Sequence, residues 1–79
     1  MVIIMSTFAV NLKKIRKNKK VSQKVVAKQL GYGYTAIANY ESGRNEPSID
    51  DLIKIADYFD VSVDHLVGRE YGKEKMISQ

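Results

Sequence analysis

The chain has 79 residues, a formal net charge of +4 and no cysteine. A chain of this length has room for one small domain, which buries only about 60% of the surface that its unfolded form exposes, so we expect support from a partner subunit. The absence of thiols excludes disulfides, thiolate metal sites and thiol catalysis, and it fits a reducing, cytoplasmic compartment.

Charge is distributed unevenly along the chain. Residues 1–40 hold eight basic residues and no acidic one, whereas residues 41–79 hold all nine acidic residues and five basic ones. A polarised molecule of this kind presents a basic face to a polyanion, and nucleic acid is the first candidate. A lysine-rich helix face that is merely solvated is the alternative explanation.

The opening segment, MVIIMSTFAV, is apolar. It has no positive charge before it, it lacks a cleavage pattern, and it is shorter than the roughly 20 residues that a membrane span needs. We therefore interpret it as part of a soluble protein and expect no membrane partner. Residues 1–7 are predicted to be an apolar extension, in which residues 2–5 form either a short strand or a frayed end. Residues 8–68 are predicted to be a helical domain and residues 69–79 a polar tail.

The first two predicted helices are marked by their caps and by their apolar spacing. Ser6 or Thr7 is available to cap the first helix, whereas Ser22 caps the second, which ends at Gly31. The residues predicted to face inward at helical spacing are Phe8, Leu12 and Ile15 in the first helix, and Val26, Ala27 and Leu30 in the second.

The third predicted helix spans residues 34–42, between a cap at Gly33 and an end at Gly43. On a wheel of about 100° per residue, Ile37 and Tyr40 form its inner face. Because the opposite side carries only short polar residues, it can form hydrogen bonds while the backbone approaches another surface closely. These outer residues are Thr35, Asn39 and Ser42.

Glu41 falls toward the inner side of the third helix, where a lone carboxylate is costly to desolvate. We predict that it forms a structural ion pair with Arg16, which borders the apolar stripe of the first helix. A fourth helix is capped by Ser48 with Asp51 as an acidic variant of the capping box, and Ser62 begins a short fifth helix. Their predicted inner residues are Leu52, Ile53, Ile55, Ala56 and Phe59, followed by Val63, Leu66 and Val67.

Five segments of the chain carry a family resemblance: LKKIR, VSQKVVAKQLG, YTAIANYESGRNEPS, LIKIADYF and VSVDHLVG. In these segments the chain resembles the helix-turn-helix repressors of the lambda, 434 and Cro type, which are the family of xenobiotic-response-element-like regulators. The most diagnostic spacing joins Ala27, Gly31 and Ile37: a small residue where helices cross, a glycine in the turn and an apolar plug. The resemblance covers about residues 10–68 and implies an all-α, compact five-helix domain with the helix-turn-helix at helices 2 and 3. Lys20 and Asp60 stand where the family often has glycine.

The resemblance implies that helix 34–42 reads the DNA major groove. An asparagine pairs with adenine N6 and N7, and threonine or alanine packs against a thymine methyl. Tyr34 has an alternative in stacking on Tyr32 or a neighbouring sugar, and Lys24 has one as a solvated charge. The implied base contacts are Tyr34, Thr35, Ala38 and Asn39, and the implied backbone contacts are Gln23, Lys24, Ser42 and Arg44.

The implied function is that of a sequence-specific, double-stranded DNA-binding transcriptional regulator, which we interpret as a repressor that binds its operator as a homodimer. The alternative is a protein-interaction module of the same fold, with a toxin or an anti-repressor as its partner. We expect no enzyme, cofactor or metal site, because His65 is the only histidine and there is no glycine-rich phosphate loop. The predicted dimer contacts are Val61, Val63, Leu66 and Val67.

Overall fold

The computed structural model describes the backbone of residues 2–68 and the side chains of residues 7–68. The predicted polar tail at 69–79 lies outside the described residues. Within them the chain forms five helices and no strand. These are α1 (Val2–Asn18), α2 (Gln23–Leu30), α3 (Ala36–Glu41), α4 (Ile49–Phe59) and α5 (Val63–Val67).

The first helix begins earlier than predicted. Because α1 starts at Val2, the predicted strand or frayed end at residues 2–5 is wrong, and so is a helix start at Ser6 or Thr7. The apolar run contains no glycine or proline, and Ile4 stands four residues before Phe8, which continues the helical spacing. The backbone has no break at residue 8, and the division into extension, domain and tail stays a prediction.

The second helix has the predicted caps. The Ser22 side chain accepts a hydrogen bond from the Val25 amide at 3.1 Å, which satisfies one of the free N–H groups of the first turn. Gly31 closes the helix in the left-handed conformation with φ of 75°, which a residue with a Cβ rarely adopts.

The third helix is shorter than predicted. It begins at Ala36, and the preceding residues form a turn in which the Ala36 amide donates to the Gly33 carbonyl at 3.1 Å. The N-cap position of α3 is Thr35, so the predicted role of Gly33 as the cap is wrong. Ile37 and Tyr40 are buried as predicted.

The fourth helix has the predicted cap but a narrower buried face. Ser48 Oγ accepts from the Asp51 amide at 3.1 Å. Ile53 is 46% exposed, so its predicted burial is wrong. It stands about 100° round the helix from Leu52, beyond the face that is buried. The residues of α4 that are fully enclosed are Ile55, Ala56 and Phe59.

The core receives one completely buried side chain from every helix. Helix α1 packs on α3 and α5, α2 packs on α3 and α4, and α4 packs on α5. The α5 contribution, Leu66, is therefore unavailable to a partner subunit, and its prediction as a dimer contact is wrong. The residues with 0% exposure are Leu12, Val26, Ile37, Ile55 and Leu66.

Two of the loops are strained where the family often has glycine. Lys20 has φ of 60° and Asp60 has φ of 59°, a left-handed conformation that costs about 1–2 kcal/mol for a residue with a Cβ. Lys20→Gly is expected to raise the free energy of unfolding by roughly 0.5–1 kcal/mol, because the chain entropy of glycine offsets part of the relieved strain.

Urea unfolding measures this effect. Lys17→Gly, which removes the same charge from inside α1, is the control and should lower stability by about 1 kcal/mol. A loss of stability in both variants would contradict the assignment of strain to Lys20.

Candidate nucleic-acid interface

A bidentate ion pair joins α1 to α3. Arg16 Nε donates to Glu41 Oε2 at 2.6 Å, and Arg16 Nη2 donates to Oε1 at 3.0 Å. The two side chains are only 10% and 4% exposed, so water contributes little screening. The pairing predicted from the sequence is present, and it fixes the orientation of the third helix.

The ion pair extends to the second helix. Gln23 Nε2 donates to Glu41 Oε1 at 2.9 Å, and Arg16 Nη1 donates to the Val21 carbonyl at 2.9 Å. The hydrogen bond of Gln23 to Glu41 was not predicted from the sequence. Because an amide nitrogen carries two hydrogens, Gln23 keeps one N–H for a phosphate, and that contact stays a prediction.

The outer side of α3 carries the residues proposed to contact bases. Thr35 is exposed, and Ala38 and Asn39 are partly exposed. The Asn39 backbone carbonyl accepts from the Arg44 amide at 2.9 Å. The side-chain amide of Asn39 has no hydrogen-bond partner among the described side chains of residues 7–68. The N–H donor and the oxygen acceptor of this amide are therefore both available to a group of another molecule.

Tyr34 lies before α3 and points into solvent, with 70% of its surface exposed. The Lys24 ammonium sits 4.8 Å from the centre of its ring, a cation–π contact that joins the start of α2 to the turn. Tyr34 is not stacked on Tyr32, and Lys24 contacts the Tyr34 ring instead of being merely solvated. Stacking of Tyr34 on a neighbouring sugar stays a prediction. Because α3 begins only at Ala36, Tyr34 lies outside the helix, and the direction of its side chain does not follow from the helical wheel.

At the end of α3, the hydroxyl of Ser42, which was predicted to contact the DNA backbone, already has a hydrogen-bond partner within the protein. Ser42 Oγ donates to the Asn39 carbonyl at 3.1 Å, so its single proton is already used within the protein. Arg44 follows the left-handed Gly43, with φ of 80°, and is exposed. This geometry favours Arg44 over Ser42 as a donor to phosphate.

The basic half of the chain divides into one buried residue and an exposed set. Of the eight basic residues in the first forty, only Arg16 is buried and seven are exposed lysines. The positive charge is therefore available at the surface, where it attracts a polyanion over about one Debye length. The exposed lysines are Lys13, Lys14, Lys17, Lys19, Lys20, Lys24 and Lys28.

A tyrosine–carboxylate cluster behind α3 was missed by the sequence analysis. The Tyr32 hydroxyl donates to Asp51 Oδ1 at 2.8 Å, and the Tyr40 hydroxyl donates to Oδ2 at 3.2 Å. The hydrogen bond from Tyr32 holds the pKa of Asp51 below its usual value. Burial, and then the nearby Asp51, raise the pKa of both tyrosines. The capping pattern identified Asp51, but it carried no signal for the two hydroxyls.

The described residues contain no group of three or more metal-ligating side chains. Across residues 2–68, no helix combines the length and the apolar character that a membrane crossing requires. The exposed features of this part of the chain include its lysines, the polar outer side of α3 and several large apolar side chains.

A family model described as helix-turn-helix, of the Cro/C1 type, matches residues 12–66. The chain belongs to this helix-turn-helix family. It is 44% identical over 63 residues to the uncharacterised HTH-type transcriptional regulator YqaE of Bacillus subtilis strain 168, covering 80% of this chain and 54% of the relative. It is 39% identical over 54 residues to the cryptic phage CTXphi transcriptional repressor RstR of Vibrio cholerae, covering 68% of this chain and 48% of the relative. The chain thus spans about half the length of these curated relatives.

A solved structure supports the fold. The crystal structure of a hypothetical transcription factor from Neisseria superposes with a TM-score of 0.79 at 25% identity, covering 92% of this chain and 84% of the other. The predicted all-α, five-helix fold is confirmed. The family consists of transcriptional regulators, which is a non-enzymatic class.

The buried ion pair generates a stability prediction. Glu41→Ala strands the Arg16 guanidinium in a site almost without water, so the free energy of unfolding should fall by roughly 3–5 kcal/mol. Chemical denaturation followed by circular dichroism measures it. Glu46→Ala, which removes an exposed carboxylate from the loop after α3, is the matched control and should change stability by less than about 0.5 kcal/mol. Equal stability of the two variants would contradict a structural role for Glu41.

Proposed function

We propose that the protein is a sequence-specific, double-stranded DNA-binding transcriptional regulator that reads the major groove with α3. The observation that carries this proposal is the contrast between the outer side of α3, which is polar and uncharged, and the exposed lysines elsewhere in the same half of the chain. Base edges are read by amides, hydroxyls and methyl groups, whereas phosphates are attracted by charge. The two surfaces fit these two parts of a DNA duplex.

The proposed base contacts follow from the chemistry of the outer side of α3. The free side-chain amide of Asn39 matches the donor and acceptor that adenine presents in the major groove, and the methyl groups of Thr35 and Ala38 suit a thymine methyl. Tyr34 is exposed beside them and carries a hydroxyl. We propose these residues as the base-reading set.

The proposed phosphate contacts flank α3 on both sides. Gln23 and Lys24 stand in the first turn of α2, where the free backbone amides and the helix dipole favour an anion. Arg44 stands beyond the end of α3, so the two groups can hold the phosphates on either side of the groove. Ser42 remains in this set only if the hydrogen bond from its hydroxyl to the Asn39 carbonyl breaks when DNA binds.

We propose repression as the sign of regulation. RstR is named a transcriptional repressor, and a small domain can repress by occupying DNA that another protein needs. Because DNA is the proposed target, we place the protein in the cytoplasm.

The separation of reading from anchoring is testable with substitutions. The target is a duplex selected from a random pool by the wild-type chain. Asn39→Ala should weaken binding to it by roughly 1–3 kcal/mol and relax preference at one base pair in each half-site, with little effect on random duplex. Arg44→Ala should weaken both duplexes and reduce the salt slope by about one unit.

Fluorescence anisotropy across a salt series measures both affinities. Gln23→Ala is the uncharged comparison: it should weaken both duplexes and leave the salt slope nearly unchanged. Its stability must be recorded as well, because Glu41 loses a donor. If Asn39→Ala weakened random duplex as much as the selected one, α3 would not be the reading helix.

We also propose that the protein acts as a homodimer. One domain of this size contacts few base pairs, and two-fold dimers place their recognition helices about 34 Å apart on successive turns of DNA. The α5 region supplies partly exposed valines for the contact. With Leu66 assigned to the core, the proposed contact residues are Val61, Val63 and Val67.

Sedimentation velocity tests the dimer in the free protein and on the selected duplex. The wild-type chain should sediment as a dimer on DNA, and Val63→Lys should shift it toward a monomer. Val10→Lys is the control, because Val10 is 53% exposed on α1 and lies outside the proposed contact. A monomer in both wild-type samples would remove the dimer proposal.

A protein-interaction module is the second candidate function, with an anti-repressor or a toxin as the partner. It is favoured by Ile49 and Ile53, which stand four residues apart on α4 and are 74% and 46% exposed. A mobility shift on random duplex at low salt separates the two candidates. Weak binding that disappears near physiological salt supports the DNA face, whereas no binding at low salt supports the protein-interaction module.

A further inference from the structure

The connection between α2 and α3 has open space beside both of its glycines. It contains Gly31 and Gly33, and a Cβ added at either position would meet nothing within 4 Å. Helix α3 has only six residues, which is too short for a helix to be stable alone in water. Direct packing of α2 on α3 and the Gln23–Glu41 hydrogen bond fix part of the angle between the two helices, and contacts from outside the helix-turn-helix add to them.

Helix α4 supplies such contacts through one carboxylate. One oxygen of Asp51 accepts a hydrogen bond at 2.8 Å from the hydroxyl of Tyr32, which lies in the connection. The other oxygen accepts a hydrogen bond at 3.2 Å from the hydroxyl of Tyr40, which lies in α3. The two tyrosine rings meet edge to face with their centres 6.4 Å apart. A single group on α4 thus holds the connection and the third helix at a set separation.

The carboxylate is itself held in place. Asp51 lies in the first turn of α4, where its backbone amide donates to Ser48 Oγ at 3.1 Å and the helix dipole favours a negative charge. Lys54, three residues on, donates to the Leu30 carbonyl at the end of α2 at 3.2 Å and lies 4.8 Å from the centre of the Tyr32 ring. Helix α4 therefore contacts the end of α2, the connection and α3.

We propose that Asp51 is a positioning residue for base readout, which sets the angle of α3 against α2 through Tyr32 and Tyr40. The proposal rests on the proposed function of α3. Hydrogen bonds to base edges weaken steeply when the donor is misaligned, and a binding site must hold its groups within about 0.5 Å and 10–20°. Attraction to phosphates tolerates small misplacements of the charged groups. Loss of Asp51 should therefore reduce discrimination between DNA sequences more than it reduces general affinity for DNA.

The test measures the ratio of two affinities, one for the duplex selected by the wild-type chain and one for a random duplex. Measurements are made at a temperature at which circular dichroism shows each variant folded. Asp51→Asn keeps the shape of the side chain but replaces one acceptor oxygen by an N–H donor and leaves the other oxygen uncharged, and it should lower the ratio roughly fivefold to tenfold. Tyr32→Phe removes one hydroxyl from a partly exposed site and should lower it about threefold.

Two controls separate positioning from charge and from stability. Asp50→Asn removes the same charge from the adjacent, exposed position of α4, and should leave the ratio unchanged. Ile15→Val removes one buried methylene from α1 and no partner of Asp51, and should lower the melting temperature without changing the ratio. Combining Asp51→Asn with Tyr32→Phe should reduce the ratio by less than the product of the single effects, because both act on one hydrogen bond.

The outcomes are distinct. If Asp51→Asn and Tyr32→Phe lower the melting temperature but keep the wild-type ratio, as Ile15→Val is expected to do, the cluster is structural and the proposal is overturned. If Asp51→Asn fails to fold, the result for Tyr32→Phe decides alone. If the wild-type chain selects no preferred duplex, the proposed function fails first, and the positioning role falls with it.

Discussion

The arrangement of this small domain depends on one buried ion pair. Arg16 and Glu41 lie almost out of reach of water, and between them they contact α1, the loop before α2, the first turn of α2 and α3. A buried charge must have its partners in place, since an unpaired one is strongly destabilising. The pair therefore admits essentially one rotation of α3. That rotation buries Ile37 and Tyr40 and turns the short polar residues outward.

The third helix is held at two points on its inner side, and both are polar. Glu41 is tied to α1 and α2, whereas Tyr40 is tied to α4 through Asp51. The Tyr40 ring also packs edge to face on Phe8, with ring centres 6.0 Å apart. Hydrogen bonds have directions that apolar contacts lack. A helix of six residues thus gains an orientation that hydrophobic burial alone would leave loose.

Features that depend on neighbouring residues in the sequence were largely predictable, whereas features that depend on packing between distant residues were not. The Ser22, Ser48 and Ser62 caps, and the glycine ends of α2 and α5, depend on a few adjacent residues. The ion pair was predictable because a carboxylate on an inner face requires a cation. The burial of Leu66, the exposure of Ile53 and the two tyrosine hydroxyls on Asp51 depend instead on residues distant in the chain. The start of α1 was missed because an apolar run without a cap suits both a helix and a strand.

The surface proposed for base reading is separate from the groups that maintain the fold. Thr35, Ala38 and Asn39 contribute no side chain to the buried core or to the ion pair, so their identity can change with little effect on α3 itself. The charge proposed to attract DNA is separate again, because lysines within about a Debye length of a phosphate act without touching it. In the proposed function, base recognition, long-range attraction and stability therefore rest on three different sets of residues, and the phosphate contact Gln23 also belongs to the network of the ion pair. A domain divided in this way can acquire a new sequence preference through its outer residues while its ion pair and its lysines stay the same.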